Sequence, residues 1–342
     1  MPSSRRTVLA GLGVVVLWAS AFPAIRVAAP QLGVLGLSLV RLFVAAALLI
    51  VLAPILKVRW PARNDVVLIL ACGFFGMAAY QVLLNWGELY VPAGTASLII
   101  AAAPLVSVGI AVGAFGEHLT AIKLAGSAVA IAGVIIVSVS RSDISASSAV
   151  WLLIAATVVQ GIYHPLTRPL LRRYSGLEVA TYAMAAGVLM LVPAVPFAWS
   201  ALSTADAAAW WAAAYLGILP SALGFVLWGH VVARLPVATS TSLLYLVPPV
   251  AVLIAWAWLG EVPHPDELLG GAVVLLGVIT LNRGDRLRRQ IQDRPLSKNP
   301  RYMTVPDAQV TRGPLAPAPA PPPTTPTNHP RTPPAHHASP TP

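Results

Sequence analysis

Charge is what this sequence has least of. Only 10% of its 342 residues are Asp, Glu, Lys or Arg, where a soluble domain carries about a quarter. Set beside 57% hydrophobic residues, that scarcity excludes an ordinary water-soluble globule. Cysteine is nearly absent too: Cys72 stands alone inside an apolar run, so no disulfide can form within the chain and the redox compartment stays open. Enzyme motifs are missing. There is no His-Glu-x-x-His helix, no Walker loop, no Gly-x-Ser-x-Gly elbow and no acidic pair for metal–diphosphate chemistry. No catalytic residue, metal site or cofactor is therefore expected. Acidic residues number 12 against 22 Lys and Arg, a net charge of +10. In a soluble protein that excess would suggest nucleic acid. Here the cations sit in gaps between apolar runs, which is the pattern of membrane orientation, and no nucleic-acid partner is expected.

What is present is a series of long apolar runs. A hydrocarbon core about 30 Å thick needs roughly 20 helical residues to cross it. That ruler gives ten spans, at 7–29, 34–56, 66–88, 93–115, 120–139, 149–170, 176–199, 209–233, 237–259 and 266–282. With the N-terminus (1–6) in the cytoplasm, the inner segments receive Arg5, Arg6, Lys57, Arg59, Arg63, Lys123, Arg168, Arg172, Arg173 and Arg234, and the outer ones only Arg141. Cation placement thus predicts both termini inside. The start also imitates a secretory signal, with Ala19-Ser20-Ala21 as its cleavage site, but the apolar run continues to Ala29, so a retained first span is expected. Residues 284–342 hold about half of the 32 prolines, with almost no long apolar side chains after Val310. Such a segment cannot offset chain entropy by burial and is expected to be a disordered cytoplasmic tail.

The chain repeats itself at an offset of 144. Pro92 falls on Pro236, Thr95 on Thr239, Pro104 on Pro248, Gly116-Glu117 on Gly260-Glu261, and Gly133-Val134-Ile135 on Gly277-Val278-Ile279. Apolar composition produces many Val, Leu and Ala coincidences but does not put Pro, Gly and Glu in step. Each unit, 7–148 and 149–283, holds five spans. Five is odd, so the second copy must be inverted, and the expected fold is an all-α membrane protein of ten helices in two inverted repeats.

Those residues also carry a family likeness. The stretch from Ala93-Gly94-Thr95-Ala96-Ser97-Leu98 to Ala103-Pro104-Leu105, closing at Gly116-Glu117, resembles the signature of the EamA family of the drug/metabolite transporter superfamily. Its second version runs from Leu243-Leu244-Tyr245-Leu246-Val247-Pro248 to Gly260-Glu261. Trp18-Ala19-Ser20 and Arg41-Leu42-Phe43 are similar to that family as well. The resemblance covers about residues 7–283. It implies a ten-helix carrier of the inner membrane that moves small metabolites or toxic compounds, often outward.

Polar residues inside the spans are the candidates for a substrate path, because burying them in hydrocarbon is costly. Gln81, Asn85 and Glu88 share one face of span three, and Gln160, His164 and Thr167 repeat that spacing in span six beside Tyr163. Trp18 and Ser20, Trp228 and His230, and Thr241, Ser242 and Tyr245 add to the set. Two readings stand: a shared central cavity, or hydrogen bonds that hold the bundle together. The expected substrate-binding set is Trp18, Ser20, Gln81, Asn85, Gln160, Tyr163, His164, Trp228 and Tyr245. Arg41, Glu88, Pro104, Glu117, Pro248 and Glu261 are expected to shape or gate it: Arg41 by pairing with Glu88, the prolines by breaking spans four and nine near mid-depth, and Glu117 and Glu261 by stabilising the start of the next helix. Arg26, near a helix end, is expected to anchor by snorkelling. With no ATP site, transport must run on a substrate or ion gradient, a proton being one candidate. The expected function is a secondary exporter of amino-acid-like or amphipathic metabolites, working by alternating access. A membrane-embedded enzyme acting on lipid-linked substrates, and a scaffold or sensor using the Pro-rich tail, remain the alternatives. Oligomeric state, direction and substrate identity are not legible.

Overall fold

The computed structural model describes residues 2–115, 121–139, 146–234, 240 and 243–292, and all of these lie in one compact unit. Every regular element among them is helical. α1 spans Pro2–Leu52, 51 residues. At ~1.5 Å per residue it would be ~77 Å long, more than twice a bilayer core. It is in fact two rods, because Gly33 breaks the helix with φ 66° and ψ 170°, a backbone that glycine adopts without steric cost. The chain then continues as α2 (Val66–Cys72), a π-helical turn (Gly73–Ala79) and α3 (Tyr80–Glu88). α4 (Ala93–Ile100), α5 (Ala103–Phe115), α6 (Ala121–Val139) and α7 (Ala146–Leu171) follow. Beyond them lie α8 (Gly176–Leu191), α9 (Val195–Thr204), α10 (Ala207–Leu216), a second π-helical turn (Gly217–Leu223) and α11 (Gly224–Val232). α12 (Val247–Leu259) and α13 (Pro265–Gln292) close the described chain.

Among the described residues five helical segments are long and apolar enough to cross a membrane: Arg5–Leu52 (the one broken at Gly33), Arg63–Glu88, Ala149–Leu171, Gly176–Thr204 and Ala207–Val232, besides shorter apolar helices. Their outer faces carry Phe43, Val67, Phe197 and Trp211, each more than half exposed. So much apolar surface on one chain belongs against lipid. The protein is an integral membrane protein.

Element boundaries recur at the offset of 144 seen in the sequence. The π turn at Gly73–Ala79 returns at Gly217–Leu223, α3 at Gly224–Val232, and α5 at Val247–Leu259. α6 and α13 meet in the same register. A methyl group added to Gly133 would fall 2.5 Å from the Val274 nitrogen and 2.8 Å from the Gly270 carbonyl, and one added to Gly277 would fall 2.7 Å from the Gly126 carbonyl. As the position rises along α6 it falls along α13, so the two helices pack antiparallel, with glycines allowing backbone contact.

Two expectations are refined. The breaks expected at Pro104 and Pro248 fall just ahead of the prolines. The stretch 93–115 stops at Ile100 and restarts at Ala103, and a 3-10 turn, Leu244–Leu246, directly precedes α12. Pro104 and Pro248 therefore sit in the first turn of α5 and α12, where the missing N–H costs nothing. α13 also continues ten residues past 282, through the basic 283–289 segment to Gln292. The expected disordered stretch beyond Gln292, the outward loop at 141–145 and Glu117 lie outside the described residues.

Candidate functional site

The helix breaks define the site. Ile100, Ala101, Ala103 and Pro104 from the first break, and Leu244, Val247 and Pro248 from the second, line one cavity of about 670 Å³, part of it open to the outside. α1 contributes Trp18, Ala21 and Phe22 from its first arm and Arg41 from its second. Tyr80 and Leu84 of α3, Ser97 of α4, Gln160 and His164 of α7, and Phe225 of α11 complete the wall.

The second π turn builds one side of this wall. In its wider register the Gly224 N–H bonds to the Leu219 and Ser221 carbonyls, leaving the Pro220 carbonyl to accept from Trp18 Nε1 at 3.1 Å. π turns displace backbone partners in this way and recur at functional sites. Gly224 has no side chain because a Cβ there would lie 2.7 Å from Trp18 Nε1. Around the indole, Phe225 lies 5.1 Å and Trp228 5.5 Å away between ring centroids. His164 is 5.5 Å from Trp228, and Tyr163 is 5.9 Å from both His164 and Phe225. Ser221, on the same π turn, accepts from Arg41 Nε at 2.8 Å.

Of the sequence candidates, Trp18, Gln160, His164, Arg41, Pro104 and Pro248 face this cavity. Tyr163 and Trp228 stand behind its aromatic wall, both buried. Gln81, Asn85 and Glu88 are fully buried on α3 but do not line it. Asn85 Nδ2 donates to Ser38 Oγ (2.9 Å). Ser20 shares a 2.6 Å hydrogen bond with Tyr215 and donates to the Leu17 carbonyl. Tyr245 is buried with Ala130 and Val274, toward α6 and α13. The Arg41–Glu88 pair is not formed: neither Glu88 carboxylate oxygen has a hydrogen-bond partner among the described residues. Glu261 does not serve the helix that follows it. It accepts from Ala93 N (2.9 Å), capping α4, and pairs with Arg26 Nε at 3.4 Å. Arg26 also donates to the Glu88 and Leu89 carbonyls, so it is a bridging residue as well as a helix-end cation. The start of α13 is held by Glu267, which accepts from His264 N and from Thr95 Oγ1.

Sequence reasoning missed Tyr80, Phe22, Phe225 and Leu244. The last three are apolar residues in an apolar chain and carry no contrast. Tyr80 and Leu84 form a face one residue ahead of Gln81 and Asn85, about 100° away around the helix.

The opposite end of the first half carries a second polar cluster. Glu178 accepts from Arg59 Nε at 2.7 Å and closes a capping box with Ser175. That hydrogen bond holds the Arg59 guanidinium above its ordinary pKa. Asp65 accepts from Arg173 Nη1 (2.6 Å) and Tyr174 (2.8 Å), and Tyr182 bonds the Arg59 carbonyl.

A family model described as the EamA-like transporter family matches residues 5–139 and again 147–283. The chain belongs to the EamA-like transporter family. This EamA-like chain is 53% identical over 281 residues to a probable terminal-alkyne amino-acid exporter of Streptantibioticus cattleyicolor, covering 82% of this chain and 95% of that one. It is 31% identical to an uncharacterized transporter of Bacillus subtilis, covering 77% and 86% of the two chains. It is also 27% identical to a probable amino-acid metabolite efflux pump of Salmonella typhimurium, covering 84% and 98%. A solved crystal structure superposes with a TM-score of 0.59 at 19% identity, covering 84% of this chain and 99% of that one, which supports the fold alone.

Proposed function

We propose that this EamA-like protein is a secondary exporter of small metabolites, foremost amino acids with apolar side chains, working by alternating access about the cavity between the two broken helices. The observation that carries this reading is that α4–α5 and the turn before α12 break 144 residues apart and open onto the same cavity. Paired helix breaks at one central site are how carriers expose backbone and hold substrate at mid-depth. The printed names of the Streptantibioticus and Salmonella relatives support the amino-acid class and the outward direction. The two family matches, the recurring element boundaries and the antiparallel α6–α13 contact support two inverted five-span repeats, 7–148 and 149–283.

Topology follows the cations: both termini cytoplasmic, in the inner membrane of a bacterial cell. On this arrangement the exposed tryptophans 86, 151, 199, 210, 211, 256 and 258 all fall at outer helix ends, where amphipathic rings favour the interface. Trp60, 94% exposed, marks the inner one. The Arg26–Glu261 contact is then an outer gate and the Arg59–Glu178 contact an inner one, each joining the two repeats. Substrate-binding roles go to Trp18, Gln160 and His164, with Tyr163 and Trp228 holding the wall. A proton is the coupling ion that the buried Glu88 and His164 suit best.

The test is efflux of L-propargylglycine and a panel of neutral amino acids from liposomes holding the purified protein. Flux above empty liposomes is expected for at least one; none for any of them, in protein that remains folded, overturns the reading. A reporter fused at Lys57 should report the cytoplasm.

A further inference from the structure

We propose that Arg41 is the carboxylate-binding residue of the central cavity, so that the substrate is a carboxylate whose apolar tail rests on the aromatic wall. The inference rests on the reading of this cavity as the transport site and names the group that the site recognises.

A guanidinium inside a membrane bundle is expensive, and it normally satisfies its donors on neighbouring protein groups. Arg41 does so only in part. It is 3% exposed and its Nε is fixed by Ser221 Oγ at 2.8 Å, yet its Nη1 has no hydrogen-bond partner among the described residues. Glu88, the acid expected beside it, makes no hydrogen bond to it. No Asp or Glu lines the cavity that Arg41 borders. A charge held by its Nε, with Nη1 unpartnered among the described residues, is arranged for a planar anion, since a carboxylate can take two parallel N–H bonds from one guanidinium.

One further feature of the wall agrees. Gln160 Oε1 is a buried acceptor without a partner among the described residues, suited to a substrate N–H. Trp18, Phe22, Tyr80 and Phe225 leave the rest of the wall apolar and aromatic. The site therefore fits a zwitterion or monocarboxylate with an apolar side chain, and disfavours an organic cation.

The experiment compares L-propargylglycine with its amide and its methyl ester, by flux and by displacement in wild-type proteoliposomes. Both derivatives keep the amine and the alkyne and lose only the carboxylate. The acid is expected to be favoured by about tenfold or more, because a site built to bond a polar group rejects analogues without it. Arg41→Gln should abolish that preference, and Arg41→Lys should keep part of it, a point charge replacing a fork. Ser221→Ala, which leaves the charge in place but frees Nε, should shrink the acid-to-amide ratio severalfold while the protein inserts at wild-type levels. That variant and the wild-type series stand even if Arg41→Gln fails to fold. Equal handling of acid and amide by the wild type, or an Arg41→Gln protein that is less stable but keeps the ratio, overturns the assignment while transport itself stands. Absence of flux for every acid tested would instead remove the transport reading and this inference with it.

Discussion

The two ends of the bundle and its middle treat polar groups in opposite ways. At the ends, charges other than Glu88, whose carboxylate oxygens have no hydrogen-bond partner among the described residues, find partners across the chain's two halves: Arg26 with Glu261, Thr95 with Glu267, Arg59 with Glu178, and Asp65 with Arg173 and Tyr174. In the middle, where an unmet donor or acceptor costs most, Arg41 Nη1, both amide atoms of Gln81, Gln160 Oε1 and His164 Nδ1 have no partner among the described residues. A solvent-exposed ion pair contributes about 0–1 kcal/mol; Arg59 and Arg173 are largely exposed and the Arg26–Glu261 pair is partly so, so these end contacts break and reform more readily than a pair inside the bundle. In hydrocarbon an unmet polar group costs about 1–3 kcal/mol, so a bundle built only for stability would not keep several together. Ends that open easily, around a middle that awaits a polar ligand, are what alternating access requires.

Four changes would sharpen or break this contrast. Gly224→Val should have the largest effect. Its side chain would enter the space of the Trp18 indole, and overpacking of this kind costs about 1–3 kcal/mol. Transport should fall at least about tenfold, and melting of the purified protein should show the lost stability. Asp65→Asn comes next. It discharges the carboxylate and replaces one of its two acceptor oxygens by an NH2 donor, at a site only 8% exposed on its side chain, an expected loss of about 1–2 kcal/mol. Affinity for the acid substrate should be unchanged in that variant; a matching loss of affinity would erase the line between end and middle.

Glu261→Gln keeps an acceptor for the Ala93 N–H but discharges the pair with Arg26. Because both partners are partly exposed, stability should change by about 0.5 kcal/mol. The signature is a shift in which side a cysteine placed in the cavity is labelled from, in a background lacking Cys72. Unchanged sidedness would show that the Arg26–Glu261 contact is scaffolding and no gate. Truncation after Gln292 should have the smallest effect. The removed segment is rich in proline and has almost no long apolar side chains after Val310, so insertion and flux should match the full chain; a misfolded truncated protein would refute that.

Much of the architecture was legible because it depends on run length and on residues that cannot be hidden in an apolar background. Long apolar runs mark a helical membrane protein, and the stretches around Pro104 and Pro248 with their Gly-Glu steps mark the family. The candidate site was legible only in outline. Gln81 and Asn85 stand out in the sequence by polarity, yet Tyr80 and Leu84 face the cavity. Polarity says that a residue needs a partner, without saying whether the partner is a ligand or, as for Asn85, Ser38 on a neighbouring helix.

The sequence by itself determined the class, the family and the breaks at Pro104 and Pro248, since these follow from composition and from residues with one conformational meaning. Only the tertiary structure decided which way each helix faces. Rotation about a helix axis by one residue is about 100°, and in a uniformly apolar chain no hydrophobic contrast fixes that angle. It is set by contacts between helices: the glycine-mediated approach of α6 to α13, the π turn that gives the Pro220 carbonyl to Trp18, and the hydrogen bond from Arg41 to Ser221.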